Sequence, residues 1–171
     1  MFDQIYNFKG KHADMAIRLT NPIGPNLSAK IFDTNLDLYA VAPLVGYLYN
    51  RKAPVDKSSD SNTKIFRDKM MDESENLKYN FRLLMLLCNK NLGAEERTRI
   101  AFKLDNCDAE RKVFDELYDE YVRGGVEVIY EHIFEDADDV DGYLMNLYEF
   151  IDDLNNRYNV SISELCDNSI D

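Results

Sequence analysis

VDGYLMNLYEFIDDLNNRY, residues Val140 to Tyr158, is the stretch whose reading decides the fold class. Val140, Leu144, Leu147, Ile151, Leu154 and Tyr158 recur at steps of three and four, with acidic residues on the other side. That period belongs to an amphipathic helix and not to a strand. The run before it, EDADDVDG at Glu135 to Gly142, matches three positions of a calcium-binding loop through Asp139, Asp141 and Gly142. Aligning Gly142 with the sixth position, however, puts Ala137 at the first and Tyr148 at the twelfth, where carboxylates are required. The run is better read as a helix start, with Asp138 or Asp139 capping the first N–H groups.

Working back toward the N-terminus, the same period recurs. Val113, Phe114, Leu117, Tyr118, Tyr121 and Val122 form one apolar face, resumed after Gly124-Gly125 by Val126, Ile129, Tyr130 and Ile133. The two glycines cost a helix about 2 kcal/mol against alanine, so they either break it or admit a close neighbour. Glu95–Leu104 is a shorter helix. Leu77–Asn89 has an apolar surface wide enough for a central, nearly enclosed one, and a short helix ends at Met71. Thr34 caps a helix over Asn35–Asn50, which Pro43 should kink or begin. Arg51–Lys64 is a polar loop containing Pro54. Ala13–Leu19 is a short helical segment, and TNPIGPNLS after it excludes continuation. Only Ile31–Phe32 or Ile65–Phe66 offers a short strand pairing. The expectation is an all-α, compact, single-domain bundle of about five to seven helices, with an irregular N-terminal arm over 1–30, a helical domain over 31–159 and a C-terminal tail over 160–171 carrying one turn at Ser163–Cys166.

Charge is the most informative feature of the composition. The net charge is -12, and it is split: residues 1–103 hold 16 Lys and Arg against 12 Asp and Glu, while residues 104–171 hold 4 against 20. Such an acidic C-terminal third repels a phosphate backbone and suits a basic partner. No apolar run approaches a membrane span, MFDQIYNFKGKH lacks the apolar core of a signal peptide, and three cysteines without a CxxC pair fit a reducing compartment. A cytoplasmic location is expected.

The chemistry-bearing motifs point away from catalysis. His12 and His132 have no Cys, His or Glu at ligand spacing, GxSxG is absent, and Gly124-Gly125 is followed by neither a dinucleotide loop nor GK[ST]. Glu110-Arg111-Lys112 superficially matches half of a metal-dependent nuclease site but lies in a helical pattern where that chemistry needs a strand. No cofactor and no metal are expected. Three surfaces remain as candidates for partner binding: a basic and aromatic turn at Arg51 and Lys52, the element Tyr121, Arg123, Gly124, Gly125 and Glu127, and the carboxylates Asp136, Asp138, Asp139 and Asp141.

Two segments carry a family resemblance. FDTNLDLYAVAPLVGYLYNRKAPVD at Phe32–Asp56 and FDELYDEYVRGGVEVIYEHI at Phe114–Ile133, followed by the helix through YEFIDDLNN, resemble small accessory proteins encoded beside bacterial DNA phosphorothioation (Dnd) modification and restriction genes. The hallmarks fall on Gly46, Tyr47, Arg51 and Lys52, and on Tyr121, Gly124, Gly125, Val126 and Glu127. The resemblance implies membership of an anti-phage defence system. Joined to the charge split, it gives the functional expectation: a non-enzymatic adaptor that holds a basic, nucleic-acid-processing protein through an acidic helical surface. The alternative is an acidic inhibitor that mimics DNA on such an enzyme.

Overall fold

The computed structural model describes residues 1–25, 27–104 and 108–158. In chain order the elements are β1 (Tyr6–Lys9), α1 (Lys11–Thr20), α2 (Asn35–Leu48), β2 (Asn62–Ile65), α3 (Arg67–Asp72), α4 (Ser74–Cys88), α5 (Ala94–Lys103), α6 (Asp108–Phe134) and α7 (Val140–Tyr158). The fold is mainly α. Two compact units divide the chain within α6, Met1–Tyr130 and Glu131–Asp171. No helix among the described residues is long and apolar enough to cross a membrane.

In the first unit the strands pair antiparallel, with Tyr6 opposite Ile65 and Lys9 opposite Asn62. Of the two expected strand segments, Ile31–Phe32 lies outside any strand and Ile65 ends β2; its partner lies 59 residues upstream, too short a run to announce itself by alternation. Within the stretch expected as an irregular arm, the short helix expected over Ala13–Leu19 is present as α1, and β1 adds regular structure from Tyr6 that was not expected. In this stretch Phe2, Phe8, His12, Ala13, Ala16 and Leu19 are buried. Phe2, Tyr6 and Phe8 join Tyr39, Phe81 and Tyr118 in a cluster of edge-on and tilted rings, which makes the N-terminus part of the core. The tilt of Arg111 over the Phe81 ring, at 3.9 Å, closes one side.

Thr34 starts α2 with a full capping box: its hydroxyl accepts from the Asp37 N–H at 3.2 Å and the Asp37 carboxylate accepts from the Thr34 N–H at 2.9 Å. The helix runs through Pro43 instead of beginning there. Pro43 is buried with Ala42, Val45 and Gly46, and Asn80 of α4 donates to the Ala40 carbonyl at 2.9 Å, tying α4 to the turn before the proline. On α4 the buried side chains are Leu77, Phe81, Leu84 and Met85, whereas Leu87 and Tyr79 are exposed, so the helix is half covered and not enclosed. Arg97 of α5 reaches back to the Leu86 carbonyl at 3.0 Å.

In the second unit Asp139 accepts from the Gly142 N–H at 2.8 Å, the cap expected of the acidic run. Asn146 on α7 donates to the Ile133 and Glu135 carbonyls, both at 3.2 Å, closing the C-terminal end of α6. His132 is exposed and its ring centroid lies 4.7 Å from that of Phe150, the buried aromatic of α7. The expected turn at Ser163–Cys166 and the tail over 160–171 lie outside the described residues.

Candidate functional site

The two sequence segments that carry the resemblance meet in one joint. α6 is unbroken across Gly124-Gly125, and the alternative expectation, a close neighbour, holds. A Cβ on Gly125 would collide with the Ala42 carbonyl, one on Gly46 with the Tyr121 carbonyl, and one on Gly124 with the Arg51 carbonyl. Glycine on both helices lets α2 and α6 touch backbone to backbone. The turn after α2 completes the fit. Asn50 takes a left-handed conformation (φ 50°), the Asn50 N–H donates to the Tyr47 carbonyl at 3.0 Å and the Arg51 N–H to the Gly46 carbonyl at 2.8 Å. This is a Schellman ending with asparagine in the place usual for glycine. It delivers Arg51 to Gly124 and lets the Ala53 N–H donate to the Glu120 carbonyl at 3.0 Å.

A polar stripe runs along the same helix at steps of three and four: Glu116, Asp119, Arg123 and Glu127. Glu127 is buried and accepts at 3.0 Å from His12 Nε2, with Lys11 Nζ at 2.8 Å and Arg51 Nε at 3.8 Å. Burial raises the Glu127 carboxyl, but the bonds from Lys11 and His12 outweigh it and hold the group below the usual carboxylate range. His12 goes down: burial disfavours its cation more than Glu127 favours it. The neutral ring therefore donates through Nε2, and Nδ1 has no hydrogen-bond partner. Arg123 is buried, donating to the Ala53 carbonyl at 2.7 Å and to Glu116 at 2.5 Å.

Asp119 is the most perturbed carboxyl among the described residues. Burial, with Glu116 and Asp115 nearby, pushes it up to about 7, although Arg123 and the Tyr39 hydroxyl, which donates to it at 3.4 Å, pull the other way. It lines a cleft of about 230 Å³ with Tyr6, Lys9, Val55, Glu116 and Arg123. That volume falls short of the roughly 300 Å³ at which small-molecule pockets begin, and the guanidinium at its wall is already committed. The stripe acts as a strut between α1, α2, the 51–53 turn and α6.

Of the candidate residues in this unit, Tyr121, Arg123, Gly124, Gly125 and Glu127 are buried parts of the joint, while Arg51 and Lys52 reach solvent, Lys52 Nζ lying 4.9 Å from the Tyr121 ring centroid. Sequence reasoning placed the basic turn and the Gly-Gly element on separate surfaces; the structure makes them one. Asp119 and Glu116 carry no sequence expectation, and His12 is weighed there only as a base or metal ligand. The polar stripe on α6 was a readable signal for the first two. His12 pairs across 115 residues, and no local spacing reveals that.

The second unit presents the remaining candidates. Asp136, Asp138, Asp139 and Asp141 are all exposed, Asp136 in a left-handed conformation (φ 61°) just past α6. Residues 131–158 contain nine Asp and Glu against one Arg, Arg157, whose Nε donates to Asp153 at 2.8 Å. A shallow groove of about 490 Å³ on this unit is rimmed by Glu131, Glu135, Asp136, Glu149 and Asp153. Among the described residues no group of three or more His, Cys, Asp and Glu is placed to hold a metal ion. Comparison of the chain with protein-family models, with curated proteins and with solved structures gives no match.

Proposed function

We propose that this chain is a non-enzymatic adaptor that holds a basic protein partner against the acidic surface of its second unit. The observation that carries the reading is the exposure of Asp136, Asp138, Asp139 and Asp141 in a segment with nine carboxylates and one arginine. Like charges so concentrated destabilise an isolated unit through self-repulsion, and a cationic partner relieves it. The polar stripe of the first unit supports this division of labour, because its charges are spent on one another within the fold.

The likeness of Phe32–Asp56 and Phe114–Ile133 supplies the setting: a cytoplasmic role beside a bacterial DNA phosphorothioation and restriction system, with a nucleic-acid-processing enzyme as the partner. It rests on those two segments alone. The same carboxylates suit an acidic inhibitor seated on the DNA-binding surface of such an enzyme, and competition by DNA separates the two readings.

The test is co-purification from the native host with the wild-type chain and with a variant carrying Asp136→Asn, Asp138→Asn, Asp139→Asn and Asp141→Asn. The expected result is a basic protein retained at about 50 mM salt, released by about 300 mM, and lost from the variant. Equal recovery on the variant contradicts the reading.

A further inference from the structure

The apolar face that identifies α7 in the sequence is only half used. Tyr143, Asn146, Leu147, Phe150 and Leu154 form the packed side, with Phe150 buried. Leu144 is 41 % exposed, Met145 58 %, Tyr148 67 % and Ile151 56 %. Leu144, Tyr148 and Ile151 stand at i, i+4 and i+7, so they form one continuous stripe along the helix beside the packed face. Single exposed leucines are ordinary, but three large apolar side chains in register are the layout of a helix-in-groove contact. Beyond the stripe lie Asp141, Glu149 and Asp152, all exposed, within about 80° of one another around the helix.

Charge decides what covers the stripe. A second copy packed through the same face would bring another segment with nine carboxylates and one arginine against the first, and residues 159–171 add Glu164, Asp167 and Asp171 with no Lys or Arg. Both oppose the acidic edge. A segment with apolar residues at helical spacing and Lys or Arg along one flank complements both halves of the surface.

We propose that the α7 face formed by Leu144, Tyr148 and Ile151, edged by Asp141, Glu149 and Asp152, receives a basic amphipathic helix of the partner protein. This rests on the adaptor reading and adds to it: the partner is recognised by an apolar stripe as well as by its charge. The stripe supplies the short-range affinity, and the carboxylates set orientation and salt dependence.

The experiment uses the full chain and three fluorescent helical peptides of about four turns: leucine stripe with lysine flank, leucine stripe with glutamate flank, and alanine stripe with lysine flank. Binding is read by anisotropy. The expected result is binding of the first peptide alone, weakened about tenfold or more by Leu144→Ser with Ile151→Ser, and by Asp141→Asn with Asp152→Asn, the second pair also flattening the salt dependence. Circular dichroism checks that each variant stays folded, and Tyr148→Ser, the most exposed position, serves if the double variant does not.

If the alanine peptide binds as well as the leucine one and the serine variants have no effect, the adaptor reading stands and the stripe has no part in it. Failure of both lysine peptides to bind overturns both. Equal binding of the glutamate peptide, or a dimer of the chain that Leu144→Ser dissociates, overturns the charge argument and hands the stripe to another occupant.

Discussion

Gly125→Ala is the sharpest perturbation of the joint, because two effects of opposite sign meet in one methyl group. Helix propensity alone favours alanine at an interior position by about 1 kcal/mol. The methyl, however, would fall on the Ala42 carbonyl oxygen, with the Ala42 carbon and Cα behind it. That neighbour is the backbone of a buried residue and has no rotamer to change. α2 and α6 must therefore separate, which at typical overpacking costs is about 1–3 kcal/mol. Separation also stretches the Arg123 bond to the Ala53 carbonyl, a buried charge-assisted hydrogen bond worth about 1.5–3 kcal/mol when intact. The net expectation is a loss of about 2–4 kcal/mol, or about 5–15 °C in midpoint for a chain of this size. Thermal and urea unfolding followed by far-ultraviolet circular dichroism measures it. Gly93→Ala, where an added Cβ meets nothing within 4 Å, is the control and should change stability by less than about 1 kcal/mol. A Gly125→Ala protein more stable than wild type by the propensity increment would refute the joint.

Three further perturbations probe other parts of the account. Thr34→Ala removes the capping box of α2 and should cost about 1 kcal/mol in urea unfolding. Asn146→Ala strips the donor from the Ile133 and Glu135 carbonyls, so amide exchange over 131–150 should accelerate while α2 and α4 stay as protected as in wild type. Asp119 titrates at about 7 in the folded protein against an ordinary 3.8, so its favourable contribution is whole below about pH 4 and is lost as pH rises through 7. Asp119→Asn should therefore gain about 2–3 kcal/mol on wild type between pH 5 and pH 8; a constant difference across that range would show that burial does not hold the carboxyl neutral.

Much of the helical skeleton was legible because it is written in local spacing. Thr34 with Asp37, the apolar steps of α4 and α7, and the cap at Asp139 each lie within one or two turns of chain. What escaped depends on distant partners. β1 is four residues whose partner is β2, so no alternation long enough to read exists in either. Residues 1–30 read as an arm with one short helix because the sequence does not show that Phe2, Tyr6 and Phe8 meet Tyr39 and Tyr118. Gly124-Gly125 stated that something comes close without saying what; Gly46 and the Asn50 turn supply the answer from more than 70 residues away. The candidate surfaces divide in the same way. Exposure of the Asp136–Asp141 carboxylates follows from composition, whereas burial of Arg123 and Glu127 follows from Ala53, His12 and Lys11, none of them near in sequence.

The most direct measurement of the central claim is hydrogen–deuterium exchange of the full chain with and without the leucine-stripe, lysine-flanked peptide. Docking on the second unit requires added protection confined to Val140–Tyr158 and the acidic turn before it, with the α2–α6 joint unchanged. Protection that falls instead on the Arg51–Lys52 turn, leaving α7 as exposed as before, would contradict it.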